Sequence, residues 1–333
     1  MGDNADAGQC RAFRIAARGD ANVVELPIAD LTPGDVLIRV EYSSINYKDA
    51  LAATGASPIL RTYPLNGGID AAGEVLSSAD ERYAPGQKVV VTGSGLSETR
   101  DGGYATHLRI DGDEVIPLPE GVTPFEAMQL GTAGFTAGLA VHRMELTGQT
   151  PALGPIAVSG ASGGVGSLAV DMLAGAGYEV MALSSKAEAV DWLTGIGAKD
   201  VLSPAGLDLP GKPLEAARLG GAIDNVGGDL LAWMIASTAY GGSVASIGLA
   251  ASHKLSTTVM PFILRGVSLL GVNSVETPRE LRLAVWSRLF GDLRPRHLDK
   301  IAHRTVSFDN LPNVFGAYMD GKVTGRTVVA IGD

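Results

Sequence analysis

One stretch limits what this chain can fold into more than any other. Between an apolar run over 155–158 and a helical pattern over 167–176 lies Ser159-Gly160-Ala161-Ser162-Gly163-Gly164-Val165-Gly166. Strand, glycine turn and helix in that order aim backbone N–H groups and the positive end of the helix at one point, and glycines keep side chains out of the approach. Such a cradle suits a pyrophosphate. The turn therefore predicts dinucleotide binding, with Ser162, Gly163, Gly164 and Val165 against the phosphates. Its glycines recur at 160, 163 and 166, a spacing that departs from the commoner G-x-G-x-x-G, so the flanking strand and helix carry the prediction.

A strand that feeds a crossover helix needs further strands of the same kind, and the following text supplies them. Strands are expected near 156, at 180–183, 200–202, 222–225, 243–247 and 268–272, with helices from Val165, over 187–196 and over 229–239. The fold class is α/β, with a doubly wound Rossmann domain over 124–275. Its start is marked by Thr123-Pro124-Phe125-Glu126, which puts Thr at the N-cap, Pro at N1 and Glu at N3. Before that point the period is two. Runs such as Val36-Leu37-Ile38-Arg39-Val40 and Val89-Val90-Val91 follow turns at Thr32-Pro33-Gly34-Asp35 and Ala84-Pro85-Gly86-Gln87, as in a partly open barrel. A helix over 46–54 interrupts them, closed by Gly55. Residues 1–123 and 276–333 are assigned to this β-rich domain, because the terminal strand Thr327-Val328-Val329-Ala330 exceeds the six strands of a Rossmann sheet.

Composition removes several functions. The chain of 333 residues has a net charge of -10, which gives a nucleic-acid partner no electrostatic support. No apolar run reaches the ~20 residues that span a bilayer, and the first nine residues lack the basic start and apolar core of a signal peptide. A soluble, cytoplasmic protein is expected. Cys10 is the only cysteine and the five histidines are scattered, so no metal site is expected. Cys10 itself reads as an inert thiol.

Several motifs carry a resemblance that spans nearly the whole chain: Asn46-Tyr47-Lys48-Asp49, Thr92-Gly93-Ser94-Gly95, Arg100-Asp101-Gly102-Gly103-Tyr104-Ala105, Gly131-Thr132-Ala133-Gly134-Phe135-Thr136-Ala137 and the glycine turn. Together they resemble the medium-chain dehydrogenase/reductase superfamily, with a GroES-like catalytic domain and a Rossmann domain, in its quinone-oxidoreductase-like branch. Asn46-Tyr47-Lys48-Asp49 with Ser94-Gly95-Leu96-Ser97-Glu98-Thr99-Arg100-Asp101-Gly102-Gly103-Tyr104 is similar to the acrylyl-CoA reductase family of that branch. Alcohol dehydrogenases of the superfamily hold zinc through Cys and His. Cys10 cannot assemble such sites, which leaves zinc-independent alkene reduction beside a carbonyl.

The cofactor follows from the position about 20 residues past the glycine turn, where NAD-dependent folds place an Asp or Glu. Here the text is Ser184-Ser185-Lys186. Hydroxyl donors and an ammonium suit a 2′-phosphate that a carboxylate would repel, so NADPH is expected. The other reading makes Lys186 a solvated residue at a helix start, and Glu188 is a complication unless it faces water. The resemblance implies further cofactor residues: Thr132 and Thr136 near the nicotinamide and phosphates, and Asn225, Gly248, Leu249 and Asn273 at carboxyl ends of strands. Arg326 either crosses to a phosphate or is a surface arginine.

Reduction of an α,β-unsaturated thioester builds enolate charge and then needs a proton. Asn46, Tyr47 and Arg100 are the expected catalytic residues. Tyr47 donates the proton or packs, Asp49 pairs with Lys48 or Arg100 or caps a helix, and Arg100 meets a carbonyl or phosphate or holds Asp101 or Glu98. Six arginines, Arg265, Arg279, Arg282, Arg288, Arg294 and Arg296, offer charge for the phosphates of an acyl-CoA, unless they form a solvated face. The reading is an NADPH-dependent reductase of short unsaturated acyl-CoA thioesters, acrylyl-CoA foremost. A quinone or general enone reductase is the near alternative, and a non-catalytic NADPH-binding protein is the alternative of another class. A homodimer through the apolar run 267–272 is expected.

Overall fold

The computed structural model describes residues 8–332. Residues 1–7, on which the reading of the amino terminus partly rests, lie outside the described residues. The chain divides into two units: Met1–Thr132 with Val275–Leu283 and Ala302–Asp333, and Ala133–Ser274 with Ala284–Ile301.

The first unit begins with the hairpin β1 (Gln9–Ala17) and β2 (Asp20–Pro27), to which β4 (Leu65–Asn66) adds antiparallel to β1. A second sheet is built around β3 (Val36–Ser44), β5 (Asp70–Ser78), β6 (Lys88–Thr92) and β8 (Ile116–Pro117), with β7 (His107–Ile110) also on β3. Its apolar face buries Ile38, Val40, Val75, Val89, Val91 and Leu108 around Phe13 and Tyr104. The helix expected over 46–54 is α1 (Tyr47–Thr54), with Gly55 left-handed at its end. Cys10 sits in a smaller core with Leu26, Ile28 and Leu37, where burial pushes its thiol up, as befits an inert side chain.

The second unit holds the expected parallel sheet, β11-β10-β9-β12-β13-β14: β9 (Ile156–Ser159), β10 (Val180–Leu183), β11 (Asp200–Leu202), β12 (Leu219–Asp224), β13 (Thr238–Ser246) and β14 (Ser268–Gly271). Every neighbouring pair is parallel, and the order reverses at β9, the place where ligands collect in such sheets. Its helices include α3 (Gly164–Gly175), α4 (Val190–Gly195), α5 (Gly228–Ser237) and α6 (Met260–Arg265). Part of the helix expected over 187–196 is a 3₁₀ turn, Ala187–Ala189. The strand β15 (Arg304–Ser307) and helix α6 had no sequence expectation. β16 (Thr327–Ala330) pairs with β3, and α8 (Leu298–Ile301) and α9 (Phe315–Met319) are short helices near the carboxyl end.

The units divide at 132/133 and 274/275, the second within one residue of the expected border and the first nine residues after it, and 284–301 goes with the second unit. Helix α2 (Pro124–Leu146) starts as expected, with Thr123 Oγ1 accepting from Glu126 N at 3.2 Å and Glu126 Oε2 accepting from Thr123 N at 3.0 Å. It breaks at Gly131, whose φ of +53° and ψ of -156° are not helical. Phe125, before the break, meets Tyr42 edge to face. Phe135, beyond it, stacks on Trp286 of α7 (Arg279–Phe290), and Gly138 leaves room for Leu289. Residues 284–301 accordingly pack with the nucleotide-binding fold.

Candidate functional site

The glycine turn follows β9 at the sheet's carboxyl edge and opens α3. A Cβ on Gly166 would lie 2.3 Å from Gly160 O and 2.7 Å from Ala161 Cα, so only glycine permits the helix to start this close to the strand. The first helical N–H groups, those of Gly164, Val165 and Gly166, have no acceptor one turn earlier and point out of the helix start. Beside them, Ser159 Oγ donates to Asp224 Oδ1 at 2.6 Å and accepts from Asn225 N at 2.9 Å, while Asn225 Nδ2 donates to Ser159 O at 2.8 Å. Asp224 Oδ2 also accepts from Gly227 N at 2.8 Å. Burial pushes the Asp224 carboxyl up, and these donors counter it. Asn225 Oδ1 is buried with no donor to it, an acceptor free to take one from a ligand. Gly248 closes this edge: a Cβ there would lie 2.3 Å from Asn225 O. Turn, free N–H groups and unused Asn225 acceptor together fit a dinucleotide.

The residues expected at the 2′-phosphate follow β10, beside the turn. Ser184 is buried, donates to Ser162 Oγ at 3.1 Å and accepts from Lys186 N at 3.1 Å. It ties β10 to the turn. Ser185 is exposed and Lys186 half-buried, and Glu188 is exposed as required. Thr136 is buried on α2, Leu249 is 67 % exposed after β13, and Asn273 is exposed after β14.

In the first unit the expected catalytic residues separate into different roles. Asn46 caps α1, and its amide is used within the protein: Nδ2 donates to Asp70 Oδ2 at 2.8 Å and to Asp49 Oδ2 at 3.1 Å, and Oδ1 accepts from Arg326 Nη1 at 3.0 Å. Asn46 thus supports the start of α1 and stays half-buried beside Tyr47. Tyr47 is exposed, and its hydroxyl has no hydrogen-bond partner among the described residues. Of the two readings of Asp49, the first-turn acid that caps a helix is the one formed, and not the pairing with Lys48 or Arg100. Lys48 pairs with Glu98, while Asp49 accepts from Asn46 N at 2.8 Å and Ile69 N at 2.9 Å. Burial first, and then the charge of Asp70, push the Asp49 carboxyl up to about 7.

Arg100 pairs with Asp111 at 2.8 Å rather than with Asp101 or Glu98, and its Nη1 is buried without an acceptor. It lines a hollow of about 710 Å³ with Arg61, Ser94, Gly95 and Thr99. Arg326 is not a surface residue. It is 2 % exposed, and Nη1 donates to Ile45 O at 3.1 Å and Nη2 to Ser44 Oγ at 2.7 Å. Of the arginine group, Arg279 lines the same hollow, and most are tied to the fold by their side chains. Arg279 donates to the carbonyls of Gly112, Asp113 and Val115, Arg282 to that of Thr92, Arg265 to those of Ala236, Thr238 and Glu215, and Arg296 to that of Gly175. Arg288 is held by Glu145 and Asp292.

The residue that sequence reasoning missed is Asp70. Its signal was a lone carboxylate in the apolar run Ile69-Asp70-Ala71-Ala72, since a charge there has to be paired.

Comparison with known proteins adds names to this architecture. Residues 32–120 match the family described as alcohol dehydrogenase GroES-like domain, and residues 164–289 the family described as zinc-binding dehydrogenase. The chain is 43% identical over 317 residues to the acrylyl-CoA reductase AcuI of Ruegeria pomeroyi, covering 95% of this chain and 96% of that one. It is 45% identical over 311 residues to the putative quinone oxidoreductase YhfP of Bacillus subtilis, covering 93% and 94%. The crystal structure of Bacillus subtilis yhfP with NAD bound matches at a TM-score of 0.94 and 43% identity, over 97% of this chain and 100% of that one. That of the yhdH oxidoreductase from Salmonella enterica in complex with NADP matches at 0.92 and 42%, over 98% and 100%.

Proposed function

This chain belongs to the medium-chain dehydrogenase/reductase superfamily, and on that premise we propose that it is a zinc-independent, NADPH-dependent reductase of the C=C bond of short α,β-unsaturated acyl-CoA thioesters, acrylyl-CoA foremost. The observation that carries the reading is the 43% identity, over 95% of the chain, to a protein named acrylyl-CoA reductase. The name quinone oxidoreductase on a relative of equal likeness makes quinones the second substrate class.

NADPH held by its pyrophosphate at the glycine turn would supply a hydride for an electron-poor alkene. The chain supplies the rest. The N–H groups of Gly164 and Val165 hold the pyrophosphate, and Ser185 and Lys186 hold the 2′-phosphate. Tyr47 offers an exposed hydroxyl to the carbonyl side of the substrate, where charge develops, and is the proposed proton donor. Arg100 offers Nη1 to an oxygen of a ligand in the adjoining hollow.

Following NADPH absorbance with acrylyl-CoA, crotonyl-CoA and a simple quinone in parallel tests the function. Turnover of acrylyl-CoA is expected. Oxidation with the quinone alone would replace the substrate class, and oxidation with none would end the enzyme reading. For the cofactor, Lys186→Ala is expected to raise the KM for NADPH about 10- to 100-fold, the worth of one charge-assisted hydrogen bond, and that for NADH less than about threefold. An equal rise for both would remove Lys186 from the 2′-phosphate.

We also propose a homodimer formed along the free edge of β14, in the cytoplasm; no helix among the described residues is long and apolar enough to cross a membrane. Val259, Ile263 and Leu264 on and before α6 are 65%, 73% and 57% exposed beside that edge strand, a patch that a second copy would cover. Light scattering is expected to give a dimer for the native chain and a monomer for Ile263→Glu. A native monomer would discard the edge.

A further inference from the structure

Asp70, at the start of β5, is fully buried and its two carboxylate oxygens gather donors from every side. Oδ1 accepts from Thr132 N at 3.0 Å and Thr132 Oγ1 at 2.6 Å. Oδ2 accepts from Asn46 Nδ2 at 2.8 Å and from Ser44 Oγ, and Arg326 Nη2 lies 3.8 Å away. An ionised carboxylate is acceptor-only, and this set of donors suits that form alone.

The surrounding backbone is built for this arrangement. A Cβ on Gly131 would lie 2.6 Å from Arg326 Nη2, 2.6 Å from Ser44 Oγ and 2.7 Å from Asp70 Oδ2. The break in α2 at Gly131 brings Thr132 onto Asp70 where a continuous helix with a side chain could not. A buried charge this completely paired has a stabilising role, yet what it pairs with is specific: the cap of the helix that presents Tyr47, and a residue expected at the cofactor.

We propose that Asp70 is a positioning residue for the reduction, its carboxylate fixing Asn46, and through that cap Tyr47, relative to Thr132. The inference rests on the function proposed above. Asp70 touches no reacting atom. It acts by holding the start of α1, with Arg326 closing the cluster on Asn46 Oδ1. Asp49 shares Asn46 Nδ2 with Asp70, so the two carboxylates are coupled through one amide. The ionisable groups that face Asp49 are Asp70 from β5, Tyr104 from the segment before β7 and Tyr318 from α9, while Arg326 from the segment before β16 lies against Asp70.

Asp70→Asn keeps the shape but turns an NH₂ toward Ser44, Asn46 and Arg326, or toward Thr132, so donor meets donor. With acrylyl-CoA, kcat is expected to fall about 100-fold, as for an ångström-scale misplacement, while the KM for NADPH changes less than about threefold, because the glycine turn and Lys186 are untouched. The pH profile adds a readout that a loss of packing alone would not move. Asp49, pushed up to about 7, lies beside the cap, so native activity is expected to fall as pH drops through its ionisation. Removing the Asp70 charge moves that inflection to lower pH, since one of the two causes that raise it is gone. Ser44→Ala, which removes one donor to Asp70 and leaves Asn46 and Thr132 intact, guards against a variant that does not fold, and is expected to lower kcat about three- to tenfold at unchanged KM. Native kcat in both variants, or an unmoved inflection in a folded Asp70→Asn, overturns the role of Asp70. A native chain inactive with every acceptor overturns the function itself and this role with it.

Discussion

Gly166→Ala is expected to abolish tight NADPH binding while leaving the chain folded. The new Cβ would stand 2.3 Å from Gly160 O and 2.7 Å from Ala161 Cα, and both obstacles are backbone, so the turn has to open. Opening it by about 1 Å misaligns the N–H groups that converge on the pyrophosphate, each a charge-assisted hydrogen bond of ~1.5–3 kcal/mol. Loss of two such bonds raises the dissociation constant by at least about 100-fold. Overpacking of this kind costs only about 1–3 kcal/mol in stability, which a chain of this size tolerates. Calorimetric titration with NADPH measures the first effect and the melting temperature the second. Native affinity in a folded Gly166→Ala would show that the turn is not the phosphate site.

Arg326→Leu carries the largest expected cost in stability. The guanidinium is 2 % exposed and donates to Ile45 O, Asn46 Oδ1 and Ser44 Oγ, with the Asp70 carboxylate 3.8 Å away. Leucine fills part of the volume and strands these acceptors beside a buried negative charge. Removing one partner of a buried ion pair costs about 3–5 kcal/mol, against ~0–1 kcal/mol for an exposed one. The unfolding free energy in urea is the measurement. Arg326→Lys is expected to recover only part of the loss, because an ammonium cannot reproduce the fork that reaches Ile45, Asn46 and Ser44 together. A loss below about 1 kcal/mol in Arg326→Leu would mean that the cluster tolerates the charge of Asp70 without it.

Much of this molecule could be read along the chain because the responsible physics is local. The cradle of residues 159–166 needs only strand, glycines and helix in sequence, and all three are adjacent. The same holds for Thr123-Pro124-Phe125-Glu126, whose cap bonds form between residues three apart, and for the parallel sheet, whose alternation of strand and helix admits few other layer arrangements. The likeness of several long motifs reached further still, to a reductase and its cofactor.

Tertiary structure decided the partners of charges. Nothing in the text near Arg326 says that it ends up on Asn46, 280 positions away, or that Arg100 takes Asp111 in preference to its neighbours. Asn46 and Ser184, chosen from sequence as ligand contacts, also bond within the protein, and four of the six arginines donate to backbone carbonyls. A hydrogen bond needs its two atoms within ~3.2 Å and aligned, a condition on folded coordinates that composition and period do not contain. The sequence by itself determined which cofactor class the chain is built to cradle and the layers that build the cradle. The fold alone determined that Asp70, an unremarked acid in an apolar strand, is the charge around which Asn46, Thr132 and Arg326 are arranged.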